Sequence, residues 1–370
     1  MAPRYPSPSP DAITTTPFLA SKSTDEYPPH SDPPSRFALT IKARILRSLA
    51  RFSFWLNAFP KPSAPAPCFY RHYTATALDD THGKGTNAAN LELAFYVPPD
   101  YRQQVQRGHR YPVVINYHGG GFTIGEITDD ARWAAMVVRE LSVVVISVAY
   151  RLAPEFPFPT AVEDCVCALL HFSANPESLG IDTSKMTLGG FSAGGNLAFS
   201  VPLRLQSHLR SLSEERERQE LPLNPNIVSI VAWYPSTDNR IPRTQRREAC
   251  SQPLKTLPPV MTDLFDYSYF PDPESITSPY ASPAAATDED LKTALPDDIA
   301  IYLCEWDMLL QEGNDFAARL ESLGKRVRRE VIKERVHAFD KHLWPFSLDL
   351  KVQVHYAQAC KWLREVYEDL

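Results

Sequence analysis

No stretch of about 18 uncharged apolar residues occurs in this 370-residue chain, so no membrane-spanning helix is expected. The opening residues, MAPRYPSPSPDAITTTPFLASKST, lack the apolar core of a secretory signal. The six cysteines (Cys68, Cys165, Cys167, Cys250, Cys304 and Cys360) form no CxxC pair and no regular spacing. They read as reduced, mostly buried thiols, which suits an intracellular compartment. No N-x-S/T sequon occurs, in agreement with that reading. A cytoplasmic location without stable membrane insertion is therefore the default expectation. Basic residues are not in excess: the formal charge of −6 gives no electrostatic reason to expect a nucleic-acid partner. Glycine is scarce, with 14 residues against 34 prolines, yet three glycines stand together in NYHGGGFTIG (116–125). Glycine loses the most conformational entropy on folding, so such a run at a strand end requires a reason.

The remaining composition, 44% hydrophobic and 22% charged, is that of an ordinary globular chain with ample length for a large core. Residues 1–35 are rich in Pro, Ser and Thr and are expected to be disordered. RFALTIKARILRSLARFSFWLNAFP follows. Its Ile41, Ile45, Leu49 and Phe52 recur at helical spacing among Lys42, Arg44, Arg47 and Arg51, giving a basic amphipathic helix. Such a helix can lie on a membrane surface. The simpler expectation is that the helix packs on the rest of the protein.

From about residue 68, strands alternate with helices. VVINYH (113–118), VVVISVAY (143–150), KMTLGG (185–190), IVSIVAWY (227–234) and IAIYLCE (299–305) are short runs suited to strands buried on both faces. Helical patterns lie between them in DDARWAAMVVREL, TAVEDCVCALLHFSA, GNLAFSVPLRLQSHL and EGNDFAARLESLG. Alternation of this kind predicts a doubly wound α/β sheet. Two stretches interrupt it. Residues 210–226 are a charged insertion expected on the surface. Residues 236–286 are too long for a plain connection and carry Phe265, Tyr267, Tyr269 and Phe270, which fits a lid.

The chemistry centres on GGFSAGGN (189–196), where Gly190-Phe191-Ser192-Ala193-Gly194 matches G-x-S-x-G between a predicted strand and a predicted helix. A sharp turn there exposes the serine Oγ, and the helix N-terminus favours negative charge on a substrate oxygen. A serine needs a base to be a useful nucleophile. In the chain order Ser…Asp/Glu…His, EWDML supplies Asp307 just past a strand, with Glu305 two residues away as the rival acid. RVHAFDKH supplies His337 at the end of the next strand-like run, a placement shared by none of the other nine histidines. The glycine run then has its reason. The backbone N–H groups of Gly119 and Gly120, with that of Ala193, would hold an oxyanion, and His118 would orient the loop.

HGGGF, YRLAPEFPFPTAVEDC, GGFSAGGN, EWDML and VHAF occur in that order over about residues 90 to 340. Together they resemble the hormone-sensitive-lipase-like branch of the α/β-hydrolase superfamily. The resemblance implies a carboxylic-ester hydrolase on a mostly parallel eight-stranded sheet flanked by helices. It also implies a helical cap, built from the helix within 36–66 and the insertion 236–286, over a core of 67–235 and 287–370. Ser192 falls on the nucleophile, Asp307 on the acid, His337 on the base, and Gly119, Gly120 and Ala193 on the oxyanion hole. Phe122 and Phe191 are candidate substrate contacts. Arg151, Glu155 and Asp164 read as structural charges that pair with one another. Phe191 stands where the family often has an acid, and Ala338 where it often has glycine. Both departures bear on pocket shape more than on the reaction.

The leading expectation is thus a serine esterase acting on a small-molecule ester or thioester through an acyl-enzyme, without metal or organic cofactor. Release of a thioester-bound chain, lactone cleavage, tailoring of a secondary metabolite and cyclisation are alternatives on the same scaffold. Plant gibberellin receptors resemble the family but lack the histidine, so His337 argues against a ligand receptor. A homodimer is left open.

Overall fold

The runs VVIN, VVISV and IVSIVAW are apolar on both faces, so they belong inside a sheet covered by helices on both sides. The structure is a computed structural model describing residues 34–57, 63–76, 78, 88–215, 225–341 and 349–370. In it these runs form the centre of one eight-stranded sheet. The strands are β1 (Phe69–Ala75), β2 (Ala89–Tyr96), β3 (Tyr111–Tyr117), β4 (Val144–Val148), β5 (Ile181–Phe191), β6 (Ile227–Trp233), β7 (Asp298–Trp306) and β8 (Arg326–Val336). Their spatial order is β1-β2-β4-β3-β5-β6-β7-β8, with the first two junctions antiparallel and the other five parallel.

The helices are α1 (Arg36–Asn57), α2 (Tyr101–Gln106), α3 (Ala131–Leu141), α4 (Thr160–Ala174), α5 (Ala193–Glu215), α6 (Arg243–Ala249), α7 (Pro259–Tyr269), α8 (Asp288–Ala294), α9 (Leu310–Ser322) and α10 (Leu350–Glu368). Helices α3 and α10 pack together on one face of the sheet, where Trp133, Trp233 and Tyr356 meet edge to face. Helices α4, α5 and α9 cover the other, with Phe199 of α5 edge-on to Phe316 of α9. This is the α/β-hydrolase fold expected from the sequence. The expected disordered tail lies, through residue 33, outside the described residues, as do residues 216–224 of the charged insertion. The start of that insertion is helical, because α5 continues to Glu215.

The sequence reading is incomplete at the edge of the sheet and at the end of the chain. The edge pair β1 and β2 and the last helix α10 have no counterpart in it. β1 reads FYRHYTA, with side chains mostly outside the core, so it lacks the continuous apolar signature of its neighbours. The insertion 236–286 holds α6, α7 and three short 3-10 turns, so it is an ordered subdomain. Its Phe265, Tyr269 and Phe270 are buried.

Helix α1 packs on the rest of the protein, as the simpler reading expected, but Ile41, Ile45, Leu49 and Phe52 all face outward. Contact with the body runs through Leu39, Ala43 and the arginines. Arg36 donates to the carbonyls of Pro154 (2.6 Å) and Ser268 (3.0 Å). Arg47 donates to those of Thr123 (2.8 Å) and Ala153 (2.7 Å) and forms an ion pair with Glu155. Arginine suits this work because its planar fork offers several donors at once.

The charges read as structural pair as follows. Arg151, just after β4, holds Asp164 of α4 through Nη2 (2.6 Å) and Nε (3.0 Å), and its own N–H donates to the same carboxylate (2.9 Å). Glu155 pairs instead with Arg47. Both ends of the Arg151–Asp164 pair are buried, so removing the carboxylate takes from a buried guanidinium the charge that faces it. Asp164→Asn is expected to cost about 3–5 kcal/mol. Urea titration of both proteins checks this; an unchanged midpoint would show that the pair does not hold α4 to the sheet.

Candidate active site

At the end of β5 the chain must reverse into α5 within two residues, and Ser192 takes the bend with φ of 55°. A non-glycine residue in that region is strained, and its surroundings must hold it there. The Ser192 N–H donates to the Trp233 carbonyl (2.9 Å). The first turn of α5 lies against β3: a Cβ on Gly194 would come within 1.9 Å of the Tyr117 carbonyl oxygen, so no other residue fits. Asn196 then ties α5 to the base of the 236–286 segment, donating to the carbonyls of Ser236 (2.8 Å) and Ala281 (2.9 Å).

His337 follows β8. Its Nε2 lies 2.8 Å from Ser192 Oγ, and its Nδ1 lies 2.6 Å from Asp307 Oδ2. An ionised carboxylate only accepts, so Nδ1 carries the proton and Nε2 accepts from the serine hydroxyl. Asp307 Oδ1 accepts from the Leu309 N–H (3.0 Å), which fixes the carboxylate. The rival acid Glu305 points elsewhere, binding Lys333 (2.9 Å) and the Glu334 N–H (2.8 Å) at the surface. Ala338 has φ of 56°, a left-handed turn that directs His337 back over the sheet and would suit glycine.

The glycine run forms a tight loop beside Ser192. A Cβ on Gly119 would meet the Phe191 carbonyl at 2.9 Å and Ser192 Cβ at 3.5 Å, which places this backbone against the serine. Among the described residues, the N–H groups of Gly119, Gly120 and Ala193 have no internal acceptor. His118 Nδ1 lies 2.8 Å from the Gly119 carbonyl, and its ring stacks on Tyr150, whose hydroxyl donates to the His118 carbonyl (2.7 Å). Burial holds the His118 imidazole below its ordinary pKa and favours the neutral form, in keeping with an orienting role.

The two phenylalanines proposed as substrate contacts sit differently from expectation. Phe191 is in the core, stacked on Trp233 (5.8 Å) beneath the Lys341 ammonium (4.0 Å). Its side chain leaves β5 on the α3/α10 face, as the sheet alternation requires. Phe122 is buried under Tyr269 of α7, with ring centroids 3.8 Å apart. Phe265 of α7 covers Gly121, where any Cβ would strike the ring.

A network that the sequence reading missed supports His337 from below. Tyr234, in the WYP that ends β6, sets its ring edge-on to the imidazole (4.8 Å) and donates its hydroxyl to Asp340. Asp340 also accepts from the Tyr356 hydroxyl (2.5 Å) and pairs with Lys341 (2.9 Å), which bridges to Asp130 (2.7 Å). An acid and a lysine adjacent in HAFDK beside a buried aromatic strand end were the available signal. A cavity of about 370 Å³ abuts this network between α1 and residues 126–132, and Ser192, Asp307 and His337 do not line it. Among the described residues no three His, Cys, Asp or Glu side chains gather as metal ligands would.

A profile of the alpha/beta hydrolase fold matches residues 114–341, more than half of the chain. The chain belongs to this family. It is 31% identical over 216 residues to an AB hydrolase superfamily protein of Schizosaccharomyces pombe, covering 58% of this chain and 59% of that one. It is 31% identical over 230 residues to an arylesterase of Saccharolobus solfataricus, covering 61% of this chain and 68% of that one. The chain thus spans about six-tenths of the length of the yeast relative. Among solved structures, an esterase of Pyrobaculum calidifontis superposes with a TM-score of 0.67 at 26% identity, covering 90% of this chain and 99% of its own.

Burial alone would raise the Asp340 pKa, but Lys341 and the two tyrosine hydroxyls outweigh it and hold the carboxyl below its ordinary value. A group depressed in the folded state stabilises above its unfolded pKa of about 3.9, and that contribution fades as pH falls through the folded value. Asp340→Asn is therefore expected to lower the melting temperature more at pH 7 than at pH 3. Equal losses at both would remove the charge from the explanation.

Proposed function

We propose that this protein is a serine carboxylic-ester hydrolase of the hormone-sensitive-lipase-like branch, acting on small-molecule esters. One observation carries the reading: the unbroken relay from Ser192 Oγ through His337 (2.8 Å) to Asp307 (2.6 Å). The HGGGF sequence at 118–122 supports the branch, and esterases among the relatives support the reaction class.

In this mechanism Ser192 Oγ attacks the ester carbonyl carbon while His337 Nε2 takes the hydroxyl proton. Asp307 holds the imidazole in the tautomer that can accept that proton and steadies the imidazolium that results. Negative charge on the carbonyl oxygen is held by the N–H groups of Gly119, Gly120 and Ala193, aided by the N-terminus of α5. His337 returns its proton to the leaving alkoxide, and the C–O bond breaks to leave an acyl group on Ser192. Water then attacks that acyl group, with His337 as base, releasing the carboxylic acid and restoring the serine. α1 and residues 236–286 serve as the cap over a core of 67–235 and 287–370. The packing of Phe265 and Tyr269 on the glycine loop supports that division.

Hydrolysis of p-nitrophenyl esters from acetate to palmitate tests the reading. Ser192→Ala is expected to lower kcat about 10⁴-fold or more without a change in melting temperature. Retained turnover would exclude serine catalysis. Asp307→Asn is expected to lose about 10⁴-fold in kcat, whereas Glu305→Gln stays near wild type. The reverse pattern would move the acid role to Glu305.

A further inference from the structure

The outward side of α1 is apolar. Phe37, Ile41, Ile45, Leu49, Phe52 and Trp55 form one stripe along the helix, and their exposure runs from 45% at Ile41 to 77% at Phe37. Phe52 and Trp55 stack at its C-terminal end (5.8 Å). Single exposed apolar residues are ordinary, but six on one helix face form a continuous patch that water solvates poorly. Folding does not require the stripe, because the inner side of α1 is fixed by Leu39, Ala43 and the arginine–carbonyl contacts.

Charge around the stripe indicates what covers it. The α1 sequence contains Arg36, Lys42, Arg44, Arg47 and Arg51 and no acidic residue, within a chain of formal charge −6. Arg47 and Arg51 turn toward Glu155 and Glu126 of the body. Lys42 and Arg44 border the stripe on opposite sides. Both are exposed, and the Arg44 side chain is 71% exposed although it approaches Glu155 at 3.6 Å. The complementary surface is therefore apolar at its centre and anionic at its rim. A second copy related by two-fold symmetry would set these same cationic borders against each other. A bilayer containing anionic lipid meets both requirements, with Phe and Trp at the acyl boundary and Lys and Arg at the headgroups.

We infer that α1 is a docking surface for an anionic lipid bilayer, lying in the plane of the interface without spanning it. No helix among the described residues is long and apolar enough to cross a membrane. The inference is independent of the hydrolase reading. If both hold, docking places a helix that grips the Thr123 carbonyl, next to the glycine loop, at the lipid boundary.

Cosedimentation of the full chain with large vesicles, either phosphatidylcholine alone or mixed with phosphatidylserine, tests it without an activity readout. Binding to the anionic vesicles is expected, weakening as salt rises. Ile45→Ser with Phe52→Ser should weaken partitioning about tenfold or more. Lys42→Glu with Arg44→Glu should abolish the preference for anionic over neutral vesicles, with melting temperatures unchanged in both variants. Wild type that stays in the supernatant with every vesicle overturns the inference, as does binding indifferent to both double variants. A photo-cross-linker in place of Ile45 reports the occupant directly. Cross-links to lipid support the inference; cross-links to a second copy or to residues 1–33 overturn it.

Discussion

A backbone contact too close to admit a side chain is the constraint on which the site depends. Because Gly194 brings the first turn of α5 onto the Tyr117 carbonyl, the chain can reverse sharply after β5, and Ser192 is left at the crest of the bend. The same closeness brings the end of β3, and with it the glycine loop, beside the serine. Ser192 and the backbone N–H groups beside it are thus placed by one packing event between β3, β5 and α5. His337 and Asp307 come from later strands of the same parallel sheet, so their positions follow from strand register. The strain at Ser192 is tolerable because the Trp233 carbonyl and the sheet on both sides leave the bend no alternative.

Much of this was legible because the central strands are apolar on both faces and the chemical residues lie at their ends. VVINY and IVSIVAW announce element type, and the G-x-S-x-G turn announces where strand gives way to helix. The errors have physical causes. A helix with one apolar side and one basic side gives the same periodicity whichever side faces inward. Only the carbonyls of Pro154, Thr123, Ala153 and Ser268, which belong to distant segments, make the arginine side of α1 the inner one. Phe191 was read as pocket because it stands where the family often has an acid, whereas sheet alternation sends its side chain into the core on the α3/α10 face. β1 escaped notice because an edge strand need not be apolar.

The segments over the site form a connected stack. Arg36 of α1 holds carbonyls in the last turn of α7, where a cation also complements the helix dipole. α7 in turn places Phe265 on Gly121 and Tyr269 on Phe122. α1 reaches the same loop from its other end through Arg47 and Thr123. A displacement of α1 would be felt by the glycine loop along both routes. On the α3/α10 face of the sheet, the charged network of Asp130, Asp340 and Lys341 beside Phe191 and Tyr234 is held by several mutual bonds at once. The floor under His337 is correspondingly the stiffer part of the site.

The last strand of the sheet has a consequence for life in a crowded solution. β8 is an 11-residue edge, long enough to template another chain, yet its sequence RVRREVIKERV presents Arg326, Arg328, Arg329, Glu330, Lys333, Glu334 and Arg335. An incoming apolar strand would have to strip water from charges along nearly the whole edge, and Glu334, with φ of 57°, breaks the line that such a strand would follow. The same charge that leaves this strand without a continuous apolar run protects a newly made chain from polymerising through its own sheet.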